Sequence, residues 1–157
     1  MPSNSSSLPY ERATSGDRAI AEMQRVLQRF GCQNFGTMMD WERRCLIVQF
    51  KYRGVSVVIE ASTAGYAAAW LKAHPPSYRR NARSRVDQER EAERIASLAV
   101  YSIVRDWVKG QITAIECGIL SFEGAFLGQI LLGSGQTALA YATSNHLLPS
   151  GEAEAGA

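Results

Sequence analysis

Apolar positions recur at helical spacing in the first part of the chain. Between residues 16 and 31 they fall three and four residues apart, at Ile20, Met23, Val26, Leu27 and Phe30. Polar side chains occupy most of the positions between them, so one side of the segment is apolar and the other is polar. The pattern predicts an amphipathic helix that ends at Gly31.

The next part of the chain changes to the pattern of strands. Three runs, "FGTMMDW", "CLIVQFKYR" and "VSVVIEAS", are rich in the β-branched and aromatic residues that favour strands. Short joints separate them, so we expect a three-stranded antiparallel meander whose last two strands form a tight hairpin at Arg53-Gly54. An alanine-rich segment then runs from Ser62 or Thr63 to the proline pair that begins at Pro75, and it predicts a short second helix.

The back half of the chain has the pattern of helices. No proline occurs from about Val86 to Ile119, and apolar residues lie on most sides of the helical wheel, which predicts a long, buried central helix. Ser121 and Ser134 are suited to cap two further helices, "SFEGAFLGQILL" and a last one that ends at Pro149. The predicted fold class is therefore α+β: a helix, a three-stranded antiparallel sheet, a helix, and a helical C-terminal half with a long buried central helix.

The length of the chain, 157 residues, suits one domain with a substantial core. We expect a single domain over residues 15–149, with disordered tails at residues 1–14 and 150–157. The longest apolar stretch, residues 112–132, is interrupted by glycines and by Glu116 and Glu123, so it predicts buried helices and no membrane contact.

Composition limits the classes of function. Hydrophobic residues make up 46% of the chain, which is typical of a folded domain. The formal net charge is only +2, so contact with nucleic acid would have to come from a local basic patch. The start of the chain has no signal-peptide pattern, and its three cysteines are widely spaced, so the cytoplasm of a bacterial host is the expected compartment.

A local basic patch occurs just before the central helix. Residues 78 to 85 contain four arginines and a tyrosine but no acid: Tyr78, Arg79, Arg80, Arg83 and Arg85. Guanidinium groups bind phosphates and an aromatic ring can stack on a base, so this arginine segment is the candidate nucleic-acid-binding site. The alternative is a solvated linker whose arginines balance the acids at the start of the helix, which are Asp87, Glu89, Glu91 and Glu93.

A row of polar residues crosses the otherwise apolar central helix. Ser102, Asp106, Lys109, Thr113 and Glu116 recur at intervals of four, three, four and three residues, and we call this stripe the polar seam. A seam on a buried helix must reach water, a partner or a pocket. Asp106, Lys109 and Glu116 would form an acid and base assembly if the seam lined a cleft. The alternative is a solvated edge on which Asp106 and Lys109 pair across one turn.

Little else in the sequence could support catalysis. The two histidines, His74 and His146, stand outside any spacing typical of a catalytic triad or a zinc site. We therefore predict a binding role without a catalytic residue, a metal or a cofactor. Gly124 and Gly128 form a small-xxx-small pair, which indicates tight helix packing either within the fold or across a homodimer.

The segment from Ser102 to Leu132 contains "RDWVKGQ", "ECGILSFE" and an apolar close. It resembles a segment of small, mostly hypothetical proteins encoded in phages and prophages of proteobacteria. The resemblance implies a phage-like origin and a bacterial host, and it transfers no catalytic residue. The function expected is that of an accessory protein that contacts nucleic acid, or a host machine bound to nucleic acid, through the arginine segment. The alternative is an inhibitor or adaptor that binds a host defence or transcription protein without touching nucleic acid.

Overall fold

A computed structural model describes residues 7–75 and 84–151 of the chain. Five α-helices and three strands occur within these ranges: α1 (Gly16–Phe30), β1 (Asn34–Asp40), β2 (Cys45–Tyr52), β3 (Val55–Ser62), α2 (Thr63–Ala73), α3 (Arg85–Glu116), α4 (Phe122–Phe126) and α5 (Ala138–Ser144). The α+β fold class is confirmed, with the order of helix, three strands and helix that the sequence predicts.

The first helix has the ends that its sequence predicts. Ser15 precedes it, and its side chain accepts a hydrogen bond from the backbone N–H of Arg18 at 3.2 Å. Gly31 follows it with φ 104°, a left-handed conformation that costs little without a Cβ atom. Met23 and Leu27 are fully buried on its apolar side, so the predicted amphipathic helix is confirmed.

The three strands form one antiparallel sheet in the order β1-β2-β3. A two-residue turn joins β2 to β3, because Tyr52 pairs with Val55. Both turn residues, Arg53 and Gly54, have positive φ, as the twist of a tight hairpin requires. The predicted hairpin is therefore confirmed.

Helices cover one face of this sheet. Leu46, Val48 and Phe50 of β2 point into the core, where they meet the buried sides of α1 and α3. Helix α3 has 32 residues and is therefore about 48 Å long. Its N-terminal half packs on α2 through Ala92 and Ala96. No helix among the described residues is both long enough and apolar enough to cross a lipid bilayer.

The segment after α3 differs from the two predicted helices. Ser121 caps α4 as expected, since its side chain accepts from the N–H of Gly124 at 2.9 Å, but α4 ends at Phe126 and a 3-10 turn follows (Leu127–Gln129). Ile130 then pairs with Val57 of β3 in an isolated antiparallel bridge. The predicted continuation of the helix is wrong because Ile130 and the residue after it extend along the edge of the sheet.

The last helix is also shorter than predicted. Leu131 pairs with Thr137, and Gly135 has φ 85° in the turn between them. Thr137 therefore caps α5 in place of Ser134, and its side chain accepts from the N–H of Ala140 at 3.2 Å. The helix ends at Ser144, before the predicted end at Pro149.

Residues Leu8 to Ser15, which we call the N-terminal strap, cross α2 and α3. The hydroxyl of Tyr66 donates to the carbonyl oxygen of Pro9 at 2.6 Å. The indole N–H of Trp70 donates to Glu11 at 2.9 Å. Most of the strap falls within residues 1–14, for which the sequence predicts a disordered tail. These tertiary contacts position the strap, although it has no periodic pattern of its own.

Candidate functional site

The polar seam of α3 faces α1. Lys109 donates to the Glu22 carboxylate of α1, and Arg29, also of α1, lies 3.8 Å from the Glu116 carboxylate. Arg105, next to the seam, reaches the other Glu22 oxygen at 3.5 Å. The seam thus finds partners within the chain, and its ion pairs join two helices.

Asp106 joins the seam to the N-terminal strap. Its carboxylate accepts from the Tyr10 hydroxyl at 2.7 Å and from the Arg105 Nε at 2.8 Å. The hydrogen bonds from Arg105 and then Tyr10 lower the pKa of Asp106, and the bond to Asp106 raises the pKa of Tyr10. In the same way, the hydrogen bond from Lys109 lowers the pKa of Glu22. Both carboxylates are therefore held in the charged form.

The arrangement of the seam suits structure better than proton transfer. Asp106, Lys109 and Glu116 keep 41%, 42% and 40% of their side chains exposed, so water surrounds the groups that would have to be tuned. A general base needs a pKa near the working pH, whereas the pKa of Asp106 is lowered. The seam contacts support a structural role in holding α1 and the strap on α3.

Most of the arginine segment lies outside the described residues. Tyr78, Arg79, Arg80 and Arg83 fall between residues 75 and 84, and only Arg85 is described. Its side chain is 91% exposed and pairs with Glu89 at 3.1 Å, one turn along α3.

The four acids at the start of α3 each have a basic partner among the described residues. Asp87 pairs with Arg90, Glu89 with Arg85, Glu91 with Arg94, and Glu93 with Arg44. Arg85 thus balances an acid of α3, as the solvated-linker alternative expects.

A groove that the sequence did not predict lies between α5 and the outer face of the sheet. Its volume is about 890 Å³, against about 430 Å³ for the cleft beneath the strap. Apolar side chains form part of its lining: Val58, Leu131, Leu139 and Ala140. Three glutamines add amide groups: Gln49, Gln129 and Gln136. We call this the C-terminal groove.

The C-terminal groove carries little net charge. Arg43 and Glu60 both line it, and their side chains pair with each other at 2.8 Å. Every other lining side chain in the described part of the chain is uncharged. The groove therefore offers apolar contacts and neutral hydrogen-bonding groups.

The wall of the groove formed by α5 is unusually exposed. No residue of α5 is buried, and Leu139 and Tyr141 are 51% and 44% exposed. Beyond the helix, Leu147 and Leu148 are 64% and 52% exposed. Helix α5 therefore leaves apolar surface open to solvent at one wall of the groove.

One signal in the sequence could have indicated the groove. Val57, Val58 and Ile59 are consecutive, although a strand with one wet face alternates apolar and polar residues. Val57 and Ile59 belong to the core, so Val58 stands on the outer face. An apolar residue at that position marks a second covered surface.

Comparison with known proteins adds no relative. No protein-family model, curated protein or solved structure shows a significant match to the chain.

Proposed function

We propose that this chain is a non-catalytic protein-binding module that takes an apolar segment of a partner protein in the C-terminal groove. The observation that carries the proposal is the groove itself, walled by an apolar helix none of whose residues is buried. Exposed apolar patches with a polar rim are typical of protein interaction sites.

The chemistry of the lining favours an uncharged peptide segment over a charged ligand such as a phosphate. The single ion pair in the lining, between Arg43 and Glu60, is satisfied internally, so a phosphate would find no uncommitted cation there among the described residues. Val58, Leu131 and Leu139 offer surface to aliphatic or aromatic side chains. The glutamines can accept from and donate to the backbone of a bound segment.

The biological setting of this binding is part of the proposal. The resemblance of residues 102–132 to phage-encoded proteins suggests a partner in a bacterial host, such as a defence or transcription protein. An inhibitor or adaptor of that kind needs a binding surface and no catalytic group. The groove supports this alternative from the sequence more directly than it supports contact with nucleic acid.

Charge in the groove provides a sharp test of the proposal. A displayed library of random peptides is selected against the full chain, and enriched peptides are measured by fluorescence anisotropy. We expect peptides with an apolar, uncharged centre, and we expect Ala140→Glu to weaken their binding at least about tenfold, because it places a charge in the apolar lining. Leu147→Glu is the matched control, since it makes the same change of charge at an exposed position outside the lining.

Two results would contradict the proposal. One is the absence of any enriched peptide. The other is a set of peptides that bind the wild type and the Ala140→Glu variant equally well.

Nucleic-acid binding by the arginine segment is a second proposal, favoured by a different observation. Arg85, the member of the arginine segment that the structure describes, keeps 91% of its side chain exposed. An exposed guanidinium can contact a phosphate, and the neighbouring arginines of the segment would add to its charge.

Salt dependence tests this second proposal. We expect the full chain to bind a short DNA duplex with an affinity that falls steeply with salt. For four phosphate contacts, a plot of the logarithm of the binding constant against the logarithm of the salt concentration should have a slope of about −3 to −4. Replacing Arg79, Arg80, Arg83 and Arg85 with alanine should abolish the binding. The control replaces four exposed bases elsewhere with alanine: Arg12, Arg18, Arg25 and Lys72. Equal losses in the two variants, or no loss in the first, would sink the idea.

A further inference from the structure

In the part of the chain that the structure describes, one edge of the sheet is partly covered and the other edge is open. Ile130 bridges to Val57, and the N–H of Leu131 donates to the carbonyl oxygen of Ser56 at 2.8 Å, so the chain covers part of the outer edge of β3. The outer edge of β1 pairs with no residue in the ranges 7–75 and 84–151. Half of the backbone groups of a strand point away from its single neighbour, so β1 presents a row of donors and acceptors.

β1 also lacks the features that protect an open edge. Its seven residues, "NFGTMMD", pair continuously with β2 from Asn34 to Asp40, without a bulge. They include no lysine, arginine or proline, the residues that commonly prevent a further strand from adding. The one charge, Asp40, lies at the end of the strand, where it accepts from the N–H of Arg43 at 2.9 Å.

The two ends of β1 are complementary to each other. Trp41 follows the strand directly and is 84% exposed, more than any other large apolar side chain of the described residues. At the opposite end a concavity of about 200 Å³ lies between α1 and the start of β1. Leu27, Cys32 and Phe35 form its apolar part.

The lining of this concavity suits an indole ring. Its remaining side chains are amides, namely Gln24, Gln28, Gln33 and Asn34, whose oxygens can accept from an indole N–H. Burial raises the pKa of the Cys32 thiol to about 11, so that side chain is also neutral. The concavity therefore offers neutral amide groups and some apolar surface, so it can contact both the ring and the N–H of a tryptophan.

We propose that two copies of this chain pair along the outer edges of β1, antiparallel about a two-fold axis, with Trp41 of each copy seated in the concavity of the other. An antiparallel pair that overlaps along the whole of β1 places the end of one β1 beside the start of the other. A two-fold interface requires such self-complementarity, and the product is one continuous six-stranded sheet. This interface lies at the opposite edge of the sheet from the C-terminal groove and does not depend on the function proposed for the groove.

Sedimentation equilibrium of the full chain tests the pairing, over loading concentrations of about 1 to 200 μM. We expect a dimer, and we expect Trp41→Ala to raise its dissociation constant by roughly thirtyfold or more, as for an aromatic anchor that fills a site on its partner. Met38→Lys should also favour the monomer, because Met38 is 56% exposed on the edge strand and lysine there opposes strand addition.

Two control variants separate this interface from other surfaces. Leu147→Ala and Ala140→Glu change exposed residues of the C-terminal segment and should leave the dissociation constant unchanged. Circular dichroism of each variant confirms folding. A chain that is monomeric at every concentration, or a dimer that neither Trp41→Ala nor Met38→Lys weakens, would overturn the proposal.

Discussion

Replacing Phe126 with alanine is expected to lower the free energy of unfolding by about 3 to 5 kcal/mol. Phe126 is fully buried although it belongs to a helix of only five residues. Its ring packs edge-on against the rings of Phe50 of β2 and Trp107 of α3. The distances between ring centroids are 5.3 Å and 5.6 Å. It therefore joins the sheet, the central helix and α4, and its removal leaves a cavity among three elements that cannot all close in on it.

Urea denaturation of the two proteins measures this difference. The control is Leu127→Ala, one residue further along the chain, where the side chain is 62% exposed and the change should cost less than about 0.5 kcal/mol. A loss below about 1 kcal/mol for Phe126→Ala would mean that Phe126 is not packed as described. Equal losses for the two variants would lead to the same conclusion.

Replacing Glu11 with alanine is expected to release the N-terminal strap and to cost about 1 to 3 kcal/mol. Glu11 accepts from the Trp70 indole N–H at 2.9 Å and from the N–H of Leu8 at 3.0 Å. Its carboxylate also lies 2.8 Å from the His74 Nε2. Trp70 is only 8% exposed, so the loss of Glu11 leaves an indole donor unsatisfied in a nearly dry site.

The contacts of His74 add to the role of Glu11. The His74 ring stacks on Trp70, and its Nδ1 lies 2.9 Å from the Trp70 carbonyl oxygen. Carbonyl and carboxylate oxygens only accept hydrogen bonds. His74 therefore links the Trp70 backbone to the strap through Glu11.

Hydrogen exchange measured by mass spectrometry separates local release from global unfolding. Residues 8 to 15 should lose protection in Glu11→Ala, while the strands of the sheet should keep theirs. Arg12→Ala is the matched control, because Arg12 is an exposed neighbour on the same strap. Unchanged protection of the strap in Glu11→Ala would show that other contacts hold it.

The regular elements were predictable because their signals are local. The three- and four-residue spacing of α1, the β-branched runs of the sheet and the length of α3 appear directly in the sequence. Gly54 likewise indicated the hairpin, because a two-residue turn needs positive φ and glycine adopts it at little cost. Local propensity and tertiary structure agree in these segments.

The C-terminal segment was predicted less well because its structure depends on distant residues. Ile130 lies in an apolar run that suits a helix, but its bridge to Val57 of β3 extends the chain there. The strap shows the same limit, since "LPYERATS" has no periodicity and is positioned by Tyr66, Trp70 and Asp106. The C-terminal groove is formed by α5 together with the outer face of the sheet. Neither α5 nor the strands predict it on their own.

The polar seam was recognised, but its partners were not. The spacing of Asp106, Lys109 and Glu116 correctly placed them on one side of α3, and it also showed that a buried helix needs partners for such a row. The sequence did not show that α1 would supply Glu22 and Arg29, because helix packing sets those contacts. The same spacing is therefore compatible with a cleft, a solvated edge and an interhelical ion-pair network.

The C-terminal groove is tested most directly by the affinity of a selected apolar peptide for the full chain and for its Ala140→Glu variant, measured side by side by fluorescence anisotropy. We expect the variant to bind at least about tenfold more weakly, while the Leu147→Glu control binds like the wild type. Equal affinities for the wild type and Ala140→Glu would contradict the claim that the C-terminal groove is a protein-binding site.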